Sequence, residues 1–197
     1  MNTTPKIGQL IVISGPSGVG KGTICRAVMS RLPEVCLSIS ATTRPQAATE
    51  VDGRDYFFMT REAFQAGIAK AQFLEYAEVF GNYYGTPKHA VDDLLAQGKT
   101  VFLEIDVQGG KQAKVLYPTA LMIFVLPPDM KALEERLRLR GREAGENTDK
   151  RLREAKAEIA AAKEFYEHLM VNDDLEQAIE EVIQVIQNHV TGLTQAS

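Results

Sequence analysis

A glycine-rich segment at residues 15–23 has the residue types of a site that binds phosphate. Its members are Gly15, Pro16, Ser17, Gly18, Val19, Gly20, Lys21, Gly22 and Thr23. The glycines allow several backbone N–H groups to converge on an anion, a following helix adds its positive end, and Lys21 adds a full charge. We therefore predict a nucleotide-binding phosphate loop (P-loop). The alternative is a turn that only joins a strand to a helix.

Two carboxylates, Glu104 and Asp106, end the apolar run that begins at residue 100. Ligands of parallel sheets gather at the carboxyl ends of strands, and residues two apart project to the same face. Beside a phosphate loop, such a carboxylate can hold Mg²⁺ through its water shell, because Mg²⁺ gives up water reluctantly. A solvated strand end is the alternative interpretation.

The elements that must position these groups alternate between strands and helices. Short apolar runs predict buried parallel strands at 10–13, 100–105 and 121–126. Helical patterns follow at 22–32, 87–96, 129–140, 150–169 and 175–189. This order predicts an α/β sandwich around a central parallel sheet.

Two segments interrupt the alternation. Residues of about 38–86 hold short β-like pieces at 56–59 and 73–80 and a helical piece at 61–70, which predicts an insertion beside the main sheet. The polar segment 141–149 contains two glycines and predicts a mobile surface lid. We expect one domain over 1–197, with its core at about 1–37, 87–140 and 150–197.

Composition excludes several classes of protein. The chain has 197 residues, 45% of them apolar and 24% charged, which is typical of a globular domain. Its net charge of −4 disfavours binding to nucleic acid. Without a secretory signal or a run of roughly 20 apolar residues, we expect a cytoplasmic protein with no membrane partner. Cys25 and Cys36 are interpreted as buried thiols, and the three histidines form no metal-ligand cluster with them.

Several separated segments resemble the guanylate kinase family in order and spacing. They are SISATTR at 38–44, EVDGRDY at 50–56, FLEY at 73–76, GNYYGT at 81–86, DVQG at 106–109 and VNDD at 171–174. The phosphate loop, where Gly22 separates Lys21 from Thr23, is similar to the variant found in nucleoside monophosphate kinases. The resemblance implies a three-layer P-loop sandwich with an inserted mixed α/β GMP-binding region and a short lid. It also implies transfer of the γ-phosphoryl group of ATP to GMP, with Mg²⁺, in purine nucleotide metabolism and GMP recycling.

The chemistry of guanine gives Glu75 a role of its own. Guanine presents an N1–H and an exocyclic amine side by side, and one carboxylate can accept both hydrogen bonds. Adenine has an unprotonated N1 and no such amine. A site built on Glu75 would therefore reject adenine, whose binding would leave polar groups unpaired.

The resemblance implies roles for further residues. For GMP they are Ser40, Glu75 and Thr86 at the base, Arg44, Tyr56 and Tyr84 at the phosphate, and Glu104 and Asp106 beside them. For ATP they are Lys21 at the phosphates, Thr23 and Asp106 at Mg²⁺, and Asn172 at the adenine. Arg136, Arg140 and Arg151 would line the transferred phosphoryl group and, with Lys21 and Arg44, support catalysis.

Each of these roles has a structural alternative. Thr86 before a proline is also a good helix N-cap. Tyrosines at 56, 83 and 84 favour strands and could simply be buried. Arg136 and Arg140 lie four residues apart on a charged helix, where a solvated face is the ordinary finding.

One position departs from the family pattern. The family carries a second arginine three residues after Arg44, and this chain has Ala47 there. Part of the phosphate clamp is therefore absent, and only Arg54 is nearby as a speculative substitute. We expect weaker GMP binding with the reaction preserved.

Two other functions remain open at this level. One is a monophosphate kinase for a different purine, which Ala47 would favour. The other is a guanylate-kinase-like scaffolding module, which binds phosphopeptides without catalysis and typically lacks an intact phosphate loop. The expected partners are ATP, GMP and dGMP, in a monomer or small homo-oligomer.

Overall fold

A computed structural model describes residues 8–79, 81–139 and 146–195. Its strands are β1 (Gln9–Ser14), β2 (Val35–Leu37), β3 (Ala41–Thr42), β4 (Phe57–Phe58), β5 (Phe73–Val79), β6 (Asn82–Pro87), β7 (Thr100–Glu104), β8 (Leu121–Leu126) and β9 (His168–Val171). Its helices are α1 (Lys21–Arg31), α2 (Arg61–Ala69), α3 (Lys88–Ala96), α4 (Val107–Leu116), α5 (Met130–Leu139), α6 (Glu146–Ala162) and α7 (Leu175–Gln195).

The central sheet has five parallel strands in the order β2-β7-β1-β8-β9. All six residues of β1 are buried, as expected for a strand with a neighbour on each side and helices on both faces. One face packs into a cluster with α1, α5 and α7, and the other packs with α3 and α4. Helix α6 contributes to both clusters. The α/β sandwich predicted from the sequence is confirmed.

A second sheet, of order β4-β3-β6-β5, is built from the predicted insertion. It is mixed, because β3 pairs parallel with β4 while β6 pairs antiparallel with β3 and β5. The buried ring of Phe64 in α2 stacks on Phe73 at 4.1 Å and on Tyr83 at 5.2 Å between ring centroids. This aromatic cluster holds α2 against the sheet, and it gives Tyr83 the structural role that its strand preference allowed.

The sequence prediction was wrong for the segment after residue 162. The helix expected over 150–169 ends at Ala162, and residues 168–171 form the edge strand β9. At its other end the helix begins at Glu146, so the last four residues of the expected lid belong to α6. Residues 140–145, which include the rest of that lid, lie outside the described part of the chain.

The cysteine prediction was right for one residue of two. Cys25 is buried, and burial raises the pKa of its thiol to about 12. Cys36 lies in β2 at the edge of the sheet and is only partly buried. Within the described ranges, no helix has the length and apolar character needed to cross a bilayer.

Candidate active site

The phosphate loop lies between β1 and α1. Gly15, Gly18 and Gly20 have φ of 149°, 85° and 105°, a backbone region that L side chains rarely adopt. Gly20 is the N-cap of α1 and is left-handed. The glycines of this segment therefore give the loop a conformation that other residues would resist, which agrees with an anion cradle at a helix N-terminus.

Lys21 begins α1 and folds back over the loop. Its Nζ donates a hydrogen bond to the carbonyl of Gly15 and a second, of 3.2 Å, to the carbonyl of Pro16. Burial lowers the pKa of Lys21, and the nearby carboxylates Glu104 and Glu158 act in the opposite direction. Among the described residues, the hydrogen bonds of this ammonium go to neutral carbonyls, which an anionic ligand can replace.

A cavity of about 1010 Å³ opens over this loop. Its walls come from the loop itself, the end of β7, strand β5 of the insertion and helix α6. The lining residues include Lys21, Thr23, Arg26, Tyr76, Glu78, Glu104, Asp106, Gln108, Arg151 and Glu158. The insertion and the main sheet thus face each other across one space large enough for phosphate groups.

The two carboxylates at the end of β7 both line this cavity. Each is exposed, whereas Ile105 between them is buried, so they share a face as predicted. Asp106 also caps α4, because its Oδ1 accepts the N–H of Gly109 at 2.7 Å. Asp106 therefore has a structural role in addition to any ligand that it holds.

The donor set at this end of the cavity fits Mg²⁺ bound together with phosphates. Thr23, Glu104 and Asp106 supply oxygen atoms, the ligands that Mg²⁺ prefers. Among the described residues, no group of three or more His, Cys, Asp or Glu side chains could hold a metal ion alone. A usual Mg²⁺ site combines one or two carboxylates with waters and substrate phosphates.

Glu75 lies in β5 as the direct cross-strand partner of Thr86 in β6. The side chain of Thr86 donates to Glu75 Oε1 at 2.6 Å, and both residues are buried. Burial raises the pKa of Glu75 to about 7, although the hydrogen bond from Thr86 acts against this rise. The alternative of Thr86 as a helix N-cap is wrong, because the N-cap of α3 is Pro87, without a side-chain bond.

Helix α4 packs against the side chain of Glu75. A Cβ atom added to Gly109 would lie 2.9 Å from Glu75 Oε2, a separation that real Cβ atoms do not tolerate. The glycine therefore admits the carboxylate to the helix surface. Ser40, the other residue expected at the base, is half-buried just before β3, and its carbonyl accepts the N–H of Phe57 at 2.9 Å.

The three residues expected at the GMP phosphate lie together. The guanidinium of Arg44 is 5.5 Å from the ring centroid of Tyr56, and the rings of Tyr56 and Tyr84 meet edge to face at 6.1 Å. The hydrogen bond to Glu50 is the largest cause of the raised pKa of Arg44, and the nearby Tyr84 adds a smaller contribution. Burial raises the pKa of Tyr56. Two half-buried tyrosines therefore lie beside an arginine, and their hydroxyl and guanidinium groups are donors that an anion can use.

Position 47, where the family carries a second arginine, is open to solvent. Ala47 is exposed, and its N–H donates to Glu50 Oε2 at 2.8 Å, while Glu50 Oε1 accepts from Arg44 at 2.6 Å. Arg54 forms its ion pair with Asp55 at 2.7 Å. This pairing gives no support to Arg54 as a substitute for the absent arginine.

The arginines expected to line the phosphates lie in different parts of the structure. Arg151 of α6 lines the main cavity. Arg136 of α5 lines a second pocket of about 340 Å³ on the other side of the loop, with Asn172. Arg138 pairs with Glu134, away from both spaces, and Arg140 lies outside the described residues. The described arginines are therefore held at different walls of the site.

The sequence analysis missed several residues of the cavity, among them Arg26 and Glu158. Glu158 lies on α6, and burial raises its pKa to about 7. The positions 151, 154 and 158 share one face of this helix, and all three line the cavity. That periodicity was present in the sequence, but the chain offered no sign that this face was turned toward Lys21.

Known proteins resemble this chain over most of its length. The family model described as guanylate kinase matches residues 7–189. A guanylate kinase from Thermosynechococcus vestitus is 54% identical over 178 residues, which cover 90% of this chain and 93% of that protein. One from Synechocystis sp. is 52% identical over 179 residues, which cover 91% of this chain and 93% of that protein.

A solved structure agrees with these sequences. The crystal structure of guanylate kinase from Anaplasma phagocytophilum matches with a TM-score of 0.72 and 30% sequence identity, over 93% of this chain and 86% of that one. The family model covers the phosphate loop, the second sheet and the segment that contains Asn172. This chain belongs to the guanylate kinase family.

Proposed function

We propose that this protein transfers the γ-phosphoryl group of ATP to GMP, giving ADP and GDP. The observation that supports this most directly is the arrangement around Asp106. Asp106 lines the cavity with Lys21 of the phosphate loop, and its carboxylate accepts the N–H of Gly109, the residue that faces Glu75, the buried carboxylate of the second sheet. A donor phosphate site at Lys21 and a guanine site at Glu75 would therefore lie close to one strand end.

The donor site would use the phosphate loop. Backbone N–H groups of residues 15–23 would surround the β-phosphate, and Lys21 would leave its carbonyl partners for the phosphate oxygens. Thr23 and Asp106 would hold Mg²⁺. Mg²⁺, when bound, supplies positive charge to the phosphate oxygens.

The acceptor site would select guanine by hydrogen bonding. Glu75 would accept from N1–H and the exocyclic amine, while Thr86 keeps the carboxylate oriented. Ser40 would complete the contacts to the base, and Glu104 and Asp106 would lie beside the nucleotide. Arg44, Tyr56 and Tyr84 would hold its phosphate.

The reaction itself needs no general base, because the attacking phosphate oxygen is already anionic near neutral pH. The difficulty is repulsion between two anions, and cations in a site that excludes water offset it. Arg136, Arg140 and Arg151 would supply this charge together with Lys21. Movement of the insertion at about 38–86 toward the core would exclude water and limit ATP hydrolysis.

Further assignments follow the family. We propose that the reaction serves purine nucleotide metabolism and GMP recycling in the cytoplasm, and that dGMP is also an acceptor. The phosphate loop with Lys21 and Thr23 in place favours an active enzyme over a binding module of the scaffolding type. We expect the protein to act as a monomer or a small homo-oligomer.

A panel of acceptors tests the proposal. ADP release from MgATP is measured with GMP, dGMP, AMP, CMP and UMP, and again with GMP in the presence of a chelator. We expect kcat/KM for GMP to exceed that for AMP by about 1000-fold or more, since the wrong base leaves buried polar groups unpaired. Equal rates with AMP, or no ADP release with any acceptor, would show the proposal to be wrong.

A further inference from the structure

The carbonyl oxygen of Val19, in the middle of the phosphate loop, is held by side chains from two distant elements. The Nδ2 of Asn172, which follows β9, donates to it at 2.7 Å. Arg136 of α5 places its Nη1 at a longer 3.4 Å from the same oxygen, and its Nη2 donates to the backbone carbonyl of Asn172 at 2.9 Å. Val19, Arg136 and Asn172 therefore form a closed set of contacts.

Asn172 is itself fixed. It is only 5% exposed, and its backbone N–H donates to the carbonyl of Leu126 at the end of β8 with a distance of 2.8 Å. The next loop residue is shaped to admit it, because a Cβ atom on Gly20 would lie 2.5 Å from Asn172 Nδ2. The asparagine amide thus occupies the space that the absence of a side chain at residue 20 creates.

The contact between Asn172 and the Val19 carbonyl also affects the next N–H group of the loop, that of Gly20. The carbonyl of Val19 and the N–H of Gly20 belong to one planar trans peptide, and they point in opposite directions. Gly20 lines both cavities, whereas Val19 lines only the 340 Å³ pocket where Asn172 lies. Holding the carbonyl toward Asn172 directs the N–H of Gly20 toward the phosphate side of the loop.

We propose that Asn172 is a positioning residue of the phosphate loop. With Arg136, it fixes the Val19–Gly20 peptide so that the N–H of Gly20 stays turned toward the donor phosphates. Its main effect is then on the triphosphate, and it does not discriminate the base. This rests on the proposed function only in taking a triphosphate as the ligand of the loop.

The experiment separates a phosphate effect from a base effect. Calorimetry measures the Kd of MgATP, magnesium tripolyphosphate, which has no base, and GMP, for the wild type and for Asn172→Ala. The control is Asn188→Ala, at an exposed asparagine on α7. Asn172→Ser is a second variant with the same expectation, for use if the alanine protein does not fold.

We expect Asn172→Ala to raise the Kd of MgATP and of tripolyphosphate by the same factor, about tenfold, as the loss of a buried hydrogen bond implies. The Kd of GMP and the ratio of kcat/KM for ATP and GTP as donors should stay unchanged. Arg136→Gln should give a smaller additional loss in the Asn172→Ala protein than in the wild type, because both side chains act on one carbonyl.

Three results would overturn the inference. Weaker binding of MgATP with an unchanged Kd for tripolyphosphate would mean that Asn172 contacts the adenine. An equal weakening of GMP binding would mean that Asn172 serves only general stability. No change in any Kd would mean that Asn172 has no role in the site. If the wild type bound neither ATP nor tripolyphosphate, the proposed function itself would fail, and that outcome is distinguishable from the other three.

Discussion

Replacing Glu75 by glutamine should change how the stability of the free protein depends on pH. Glu75 is 6% exposed, and its Oε1 accepts a hydrogen bond from Thr86. Glutamine has nearly the same shape and keeps a carbonyl oxygen for Thr86. It removes only the ability of the side chain to ionise, so the change isolates the cost of a buried negative charge.

The direction follows from the pKa of Glu75, which burial raises from 4.5 to about 7. Between these two values the folded protein binds more protons at residue 75 than the unfolded chain does. The wild type therefore loses stability as pH rises through this window, and the loss is complete above about pH 7. With these values, linkage gives a loss of about 2.5 kcal/mol between about pH 5 and pH 8.

Urea unfolding of both proteins at these two pH values measures the effect. The difference in unfolding free energy, Glu75→Gln minus wild type, should be more positive at pH 8 than at pH 5 by about 2.5 kcal/mol. Glu158, whose pKa burial also raises to about 7, is present in both proteins and cancels. A difference that is the same at both pH values would refute the reasoning.

A matched control lies on the same strand. Glu78 is exposed in β5 and pairs with Arg61 at 3.1 Å. Glu78→Gln should produce a change of at most about 0.5 kcal/mol between the two pH values, because solvent screens an exposed carboxylate. An effect at Glu78 as large as that at Glu75 would mean that burial is not the cause.

Other substitutions test separate parts of the site. Lys21→Met should lower kcat by about 100-fold or more without loss of the fold, because a similar apolar chain replaces a buried charge; urea unfolding checks the fold, and near wild-type turnover would contradict the role. Ala47→Arg should lower the KM for GMP by about tenfold at constant kcat, by adding a charge near Arg44; an unchanged or higher KM would oppose it. Gly109→Ala should destabilise the protein by about 1–3 kcal/mol and raise the KM for GMP, since the new Cβ would lie 2.9 Å from Glu75 Oε2; normal stability together with normal KM would contradict the packing argument.

The central strands could be predicted because their sequences are apolar without interruption. Strands β1, β7 and β8 have neighbours on both sides, and nearly every residue in them is buried. Strands β2 and β9 lie at the two edges of the sheet, and each has a single buried residue. A strand with one buried side chain leaves no periodic pattern, so these two were not predicted.

Helix α4 was also not predicted, for a different reason. Gly109 and Gly110 stand in its first turns, and glycine is a poor helix former. A Cβ atom at 109 would meet Glu75, and one at 110 would meet the hydroxyl of Tyr166. The residues that weaken the helical signal are thus required by contacts with chain segments that are distant in sequence.

The parts of the candidate site also differ in how far they could be predicted from the sequence. The phosphate loop is one continuous segment, so its chemistry could be predicted from residues 15–23 alone. The bond between Glu75 and Thr86 depends on the register of β5 and β6, and the anchor of Asn172 on Val19 joins residues 153 apart. Long-range geometry of this kind cannot be inferred from spacing, which is why a role for Asn172 in the loop emerged only from the fold.

The N-terminus of α4 connects the two halves of the candidate site. Asp106 faces the cavity with Lys21, and it also caps the helix through the N–H of Gly109, whose Cα packs on Glu75. Removing the cap would disturb the helix surface that faces Glu75 even if Asp106 never touched GMP. Asparagine keeps an N-cap and removes the charge, whereas alanine removes both. A defect shared by both substitutions therefore reports the charge at the phosphates and metal, and a defect seen with alanine alone reports the position of Gly109 against Glu75.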